Sequence, residues 1–222
     1  MNYEQMNNNK VYIRGEVIDT PQFDHEVFDE KFFLLHLKVP RLSDSFDIIP
    51  VTISERLIEN KIEVGKILTV TGQFRSYNKQ NEGRSKLLLT VFVREILPND
   101  LTQNPNTIEL TGFVCKTPIF RTTPFKREIC DVLLAVNRAY NKSDYIPCIA
   151  WGRNARFVKD MKIGEEMTIT GRIQSREYQK KLSDDLVENH IAYEISIAKL
   201  SNTKNDDGFV IENANGNFAH IN

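Results

Sequence analysis

The 222-residue sequence predicts an all-β chain made of two copies of one small module, and three observations predict it. The first is a repeat. GEVIDTPQF at 15–23 returns as GFVCKTPIF at 112–120, so Gly15, Val17, Thr20, Pro21 and Phe23 recur 97 positions later as Gly112, Val114, Thr117, Pro118 and Phe120. The second is that the offset persists: Leu37, Val39 and Arg41 map onto Leu134, Val136 and Arg138, and Asp47, Ile49 and Pro50 onto Asp144, Ile146 and Pro147. At an offset of 99, Gly65, Thr69, Thr71, Gly72 and Ser76 map onto Gly164, Thr168, Thr170, Gly171 and Ser175. The third is local pattern, since short β-branched and aromatic runs alternate with Gly, Pro, Asn and Asp.

In the second copy five runs read as strands: TIELTGFV, ICDVLLAVN, YIPCIAW, EMTITGRIQSREY and HIAYEISIAKL. Between the third and fourth, NARFVKDM places Ala155, Val158 and Met161 at helical spacing and stops before Gly164. ERLIENK, with Leu57, Ile58 and Ile62 ahead of Gly65, is its counterpart in the first copy. Five strands with one short helix between the third and fourth fit the OB-fold, a small partly open barrel. An immunoglobulin-like sandwich would need about seven strands. The expected architecture is therefore two tandem OB-folds: a divergent first over residues 1–98, a linker at 99–106, a second over 107–200, and a disordered tail at 201–222.

Composition narrows the function. With 29 Lys plus Arg against 30 Asp plus Glu, the formal charge is −1, so a polyanion would have to be held by a local basic surface. Residues 107–200 carry 15 basic and 12 acidic residues, net +3, whereas residues 1–106 carry 13 and 15, net −2. Cys115, Cys130 and Cys148 have no C-x-x-C spacing, and the four histidines are scattered, so no metal site and no cofactor are expected. Three such cysteines suit a reducing compartment, and the start MNYEQMNNNK lacks a signal peptide's apolar stretch, which makes the expected location cytoplasmic. No apolar run reaches the roughly 20 residues of a membrane span. No phosphate loop or nucleophile motif is present, so an enzyme with a small-molecule substrate is not expected.

Leu134 to Tyr178 runs LAVNRAYNKSDYIPCIAWGRNARFVKDMKIGEEMTITGRIQSREY. Its order of AVNR, an aromatic-polar stretch, a strand closing on an aromatic plus Gly, a helix, and T-x-x-G-R-I-Q-x-R-x-aromatic resembles the bacterial single-stranded DNA-binding protein family. The resemblance covers about residues 106–200 and reaches the first copy only through the repeat. It implies single-stranded DNA as the partner, bound without sequence preference during replication, recombination or repair. It also implies four OB-folds acting together, which two-copy chains reach as homodimers.

By position, the resemblance gives the base-stacking role to Trp151, Tyr145, Tyr178 and Tyr140. Stacking on an aromatic face is worth about 1–3 kcal/mol per base and tolerates any base. For Trp151 and Tyr145 a core position is the competing assignment, and alternation does not separate the two because both faces of Cys148–Ile149–Ala150–Trp151 are apolar. Along the fourth strand Arg172, Gln174, Arg176 and Tyr178 share one face, an open basic surface without acids of the same parity. Arg138, Lys142, Arg153 and Arg156 are the further phosphate candidates. The first copy has Ser54 at the place of Trp151 and Ile48 at that of Tyr145, and keeps Gln73, Arg75 and Tyr77 as weaker candidates. NKQNEGRSK at 78–86 and QKKLSDDLVEN at 179–189 are expected to be flexible hairpin tips. The rival functions are a protein-interaction OB module of a replication or mobile-element machine, and an RNA-binding OB protein.

Overall fold

The computed structural model describes residues 7–58, 62–81, 84–183 and 186–201, so the expected tail beyond Ser201 lies outside the described residues. The first repeat supplies β1 (Asn9–Val17), β2 (Gln22–Val27), β3 (Glu30–Pro40), β4 (Phe46–Ser54), α1 (Glu55–Ile58), β5 (Ile67–Asn81) and β6 (Arg84–Leu97). The second supplies β7 (Asn106–Val114), β8 (Ile119–Thr122), β9 (Glu128–Arg138), β10 (Lys142–Trp151), α2 (Gly152–Val158), β11 (Glu166–Ser183) and β12 (Leu186–Ser201).

Strict alternation drives closure of each barrel. Val11, Ile13 and Val17 on β1 and Leu35, Leu37 and Val39 on β3 point inward with almost no exposure, and each such side chain contributes about 1.5–3 kcal/mol on burial. β1 pairs with β3, β3 with β4, β4 in parallel with β6, β6 with β5, and β5 with β1, a closed ring of five strands. β7, β9, β10, β12 and β11 form the same ring in the second repeat. The two rings are the tandem OB-folds. In each, a bulge brings two strands close: a Cβ on Gly72 would collide with the Phe92 carbonyl oxygen, and one on Gly171 with the Ser196 oxygen. The recurrence of glycine there follows from that approach.

Several local features differ from the sequence expectation. The TPQF and TPIF repeats each lead into a short strand, β2 or β8, that pairs only with β3 or β9 and lies outside the ring. All four residues of β8 are exposed, so no alternation marked it as a strand. α2 begins at Gly152 and ends at Val158, earlier than NARFVKDM suggested, because Trp151 in extended conformation starts it. Of the expected hairpin tips the flanks are ladder, β5 and β6 pairing out to Asn81 opposite Arg84 and β11 and β12 out to Ser183 opposite Leu186, while the turn residues 82–83 and 184–185 lie outside the described residues. Backbone pairing does not require apolar side chains, and these segments are polar.

The repeats join through β1 and β7, which pair antiparallel from Asn9 opposite Leu110 to Ile13 opposite Asn106. Their cores merge into one apolar cluster. Beyond Phe74 and Ile173 the long strands β5 and β11 become arms, each crossing to the other repeat. There a reciprocal clasp forms: Ser175 donates its backbone N–H (2.7 Å) and hydroxyl (3.1 Å) to Asp47, and Ser76 donates its N–H (2.9 Å) to Asp144. Asp47 and Asp144 are 1% and 2% exposed, so these carboxylates satisfy the partner repeat and not solvent. The recurring Asp and Ser of the sequence are thus one seam seen twice.

Candidate nucleic-acid interface

On β10 the inward parity is taken by Ile146, Cys148 and Ala150, which leaves Tyr145 at 46% exposure and Trp151 at 37% on the outer face. The ambiguity of the sequence pattern is resolved by the barrel: both rings lie outside the core. Six strand residues separate them, about 20 Å. Tyr140, 82% exposed, sits in the turn between β9 and β10 with φ of 62° and is followed by Asn141 at 53°, a backbone region that few non-glycine residues adopt. Tyr178 stacks on His190 with ring centroids 5.5 Å apart. It lies three residues beyond Ser175, so the β11 arm carries it onto the first repeat's side of the seam. Tyr145, Trp151 and Tyr140 thus belong to β10 and the turn before it, and Tyr178 to the arm that crosses the seam.

The β11 face is less open than its parity suggests, because acids reach it from other strands. Arg172 pairs with Asp47 of the first repeat at 3.2 Å and donates to Gln174 at 2.9 Å. Gln174 is buried and donates to Glu194 at 2.6 Å, and Arg176 lies 3.9 Å from the same carboxylate. Asp47 also accepts two bonds from Arg41, at 2.8 and 2.5 Å. Burial pushes the Asp47 carboxyl up, but the Arg41 bond, the Ser175 N–H and the charges of Arg41 and Arg172 outweigh it and hold the group below the ordinary carboxylate range.

The remaining cations divide by partner. Arg156 bonds Glu128 at 2.6 Å at the rim of β9. Arg138 lies 3.7 Å from Asp144, and its Nε is buried with no hydrogen-bond partner. Lys142 and Arg153 are exposed and have no carboxylate partner among the described residues. Among the same residues no group of three His, Cys, Asp or Glu could hold a metal, and no helix is long and apolar enough to cross a membrane. Burial and the nearby Asp131 push the Cys130 thiol up to about 11, and burial with Glu194 pushes Cys148 up further, so both stay protonated at neutral pH.

In the first repeat Ser54 is buried and donates its hydroxyl to Glu30. The aromatic has moved to the neighbouring strand: Phe92 on β6 packs against Phe32 at 5.5 Å, and Phe32 stacks on His25 at 4.9 Å. The Arg75 guanidinium lies 3.7 Å over the Phe92 ring and that of Arg94 lies 5.4 Å from it. Gln73 accepts from both, at 2.9 Å from Arg75 and 3.3 Å from Arg94. Sequence reasoning found Gln73 and Arg75 and missed Phe92 and Arg94. The signal was present in VFVR, where Val91 and Val93 are inward and Phe92 and Arg94 outward.

Two closed five-stranded barrels, each with a parallel closing pair and a helix after the third strand of its ring in chain order, define a tandem OB-fold protein. Residues 105–202 match the model of the Single-strand binding protein family, a likeness that covers the second repeat. Single-stranded DNA-binding protein 1 of Lactococcus lactis subsp. lactis is 34% identical over 83 residues, covering 34% of this chain and 55% of the relative. The single-stranded DNA-binding protein of Clostridium tetani is also 34% identical over 83 residues, covering 34% of this chain and 57% of its own length. The chain thus spans about half the length of the curated relatives it matches. The structure of the wild-type single-stranded DNA binding protein from Thermus aquaticus superposes with a TM-score of 0.68 at 18% identity, over 87% of this chain and 92% of that one, a likeness of fold across both repeats.

Proposed function

We propose that this chain binds single-stranded DNA without sequence preference, in the cytoplasm, in support of replication, recombination or repair. The observation that carries the reading is the outer face of β10, where Trp151 and Tyr145 stand exposed, with the exposed Lys142 at the start of that strand and the exposed Arg153 on the helix that follows it, in the segment that matches the family. Aromatic faces accept any base, and exposed cations track phosphates, whether free of a carboxylate among the described residues, as Lys142 and Arg153 are, or released from a surface carboxylate, as Arg156 and Arg176 would be. Trp151, Tyr145, Tyr178 and Tyr140 stack bases, and Lys142, Arg153, Arg156 and Arg176 contact phosphates. Arg172 and Gln174, engaged with Asp47 and Glu194, position the β11 arm. The units are the repeats at 1–98 and 107–200 with 99–106 between them, and two chains assemble as a homodimer presenting four OB-folds.

Trp151 is the single tryptophan of the chain, so its emission reports one site. Oligo-dT should quench it, whereas duplex DNA of equal length should not, because paired bases are already stacked. Trp151→Ala should weaken oligo-dT binding by about 1–3 kcal/mol while leaving the melting temperature close to wild type. Unaltered emission at saturating oligo-dT, with a lowered melting temperature for the variant, would overturn the stacking role.

A further inference from the structure

The seam between the repeats has two ends, related by the repeat itself, and their charges differ. At the second-repeat end Arg41 and Arg172 share Asp47, and Arg176 and Gln174 face Glu194. The register places Val93 opposite Gly72 as Ile197 stands opposite Gly171, so Thr90 holds the place of Glu194 in the first repeat. Thr90 is buried, donates to the Pro50 carbonyl, and carries no charge. At the first-repeat end Arg75 and Arg94 converge on the neutral Gln73 oxygen, with Arg138 reaching in from the other repeat. The one carboxylate found there among the described residues is Asp144, 3.7 Å from Arg138 and bonded to Ser76.

Burial is the main force pushing the Arg75 pKa down, opposed by Tyr77, and the nearby charges of Arg94 and Arg138 push in the same direction as burial. Among the described residues neither Arg75 nor Arg94 pairs with a carboxylate, and Arg138 has only its 3.7 Å approach to Asp144. Arg138 adds a buried Nε donor that has no hydrogen-bond partner. A guanidinium presents its N–H fork to phosphate in bidentate fashion, and stacking on Phe92 fixes the plane of that of Arg75.

We propose that Arg75, Arg94 and Gln73 of the first repeat, with Arg138 of the second, form a phosphodiester site at the seam, so that the divergent repeat grips the single strand by its backbone where the second repeat grips by stacking. This rests on the single-strand reading above and adds a residue set in the first repeat to it. Arg138 stands opposite Lys142 across the turn that holds Tyr140, so the second-repeat member of the site adjoins two of the proposed single-strand contacts.

The test uses the full-length chain and oligo-dT in a salt titration, comparing wild type, Arg94→Gln and Arg75→Gln/Arg94→Gln. Each phosphate no longer neutralised should flatten the slope of log K against log salt by about 0.7, so the double variant should flatten it by about 1.4, with a shorter occluded length and an unchanged Trp151 quench at saturation. Arg94 is exposed, so Arg94→Gln keeps its fold even where the half-buried Arg75 change does not, and a slope reduced in the single variant supports the site by itself. Binding by all three proteins with the same slope and occluded length would overturn this site and leave the proposed function standing. No binding of oligo-dT by wild type would overturn both.

Discussion

Removing Asp47 tests the seam most directly, because its carboxylate collects donors from both repeats. Asp47→Ala leaves the buried Ser175 N–H without an acceptor, at about 1–3 kcal/mol. The Arg41 and Arg172 side chains are 29% and 37% exposed and recover water, so losing those pairs adds only about 1 kcal/mol. The sum is about 2–4 kcal/mol, and at roughly 2–4 °C per kcal/mol for a chain of this size the melting temperature should fall by about 4–16 °C. The equivalent Asp144→Ala removes one Ser N–H acceptor but only a 3.7 Å approach to Arg138, so it should cost less, about 1–3 kcal/mol. Urea unfolding of both variants, with a double-mutant cycle for Asp47 with Arg41 against Asp144 with Arg138, measures the difference. If Asp144→Ala destabilises more than Asp47→Ala, or the Asp144–Arg138 coupling is the larger, the assignment of strength within the clasp is wrong.

Acid should reach the same group: the folded-state pKa of Asp47 lies below its unfolded value of about 3.9, so its contribution is complete above that value and disappears as pH falls through the folded one. Melting temperatures of wild type should therefore fall more steeply than those of Asp47→Asn as pH drops from about 4 to about 2. Gly171→Ala and Gly72→Ala should each cost about 1–3 kcal/mol or more in unfolding experiments, since the new Cβ would strike a carbonyl oxygen of the facing strand; wild-type stability for either would refute the close approach. Alkylation followed by mass spectrometry should label the half-buried Cys115 first in the native protein, and Cys130 and Cys148 only after denaturation.

The repeat made the fold legible. Once Gly15 through Ser76 were matched to Gly112 through Ser175, two barrels followed from alternation alone, since strands such as β1 and β7 bury every second residue. β2 and β8 were hidden because their side chains face solvent and carry no period. The polar outer thirds of β5 and β11 read as loops because a backbone ladder leaves no trace in composition. Of the candidate site, Trp151, Tyr145 and Tyr140 were named by resemblance, and all three are exposed. The charge state of the β11 face could not, because Asp47 is more than a hundred residues from Arg172 in sequence and meets it only across the seam. The matched Asp and Ser of the repeat had no role in the sequence reading, and the clasp shows why they recur together.

Strands β1 and β7 belong to one chain, and only residues 98–105 separate the end of β6 from the start of β7. A tether that short holds the two barrels at an effective concentration on the order of millimolar. Their union is therefore indifferent to how dilute the protein becomes, whereas single-barrel subunits would come apart as their number fell. A four-barrel assembly built from this chain needs one encounter between molecules instead of three. The tether also frees the two barrels to diverge: once neither must pair with a copy of itself, one can hold an exposed tryptophan at the end of its barrel strand where the other holds a buried serine, and the seam keeps both in fixed proportion, one to one.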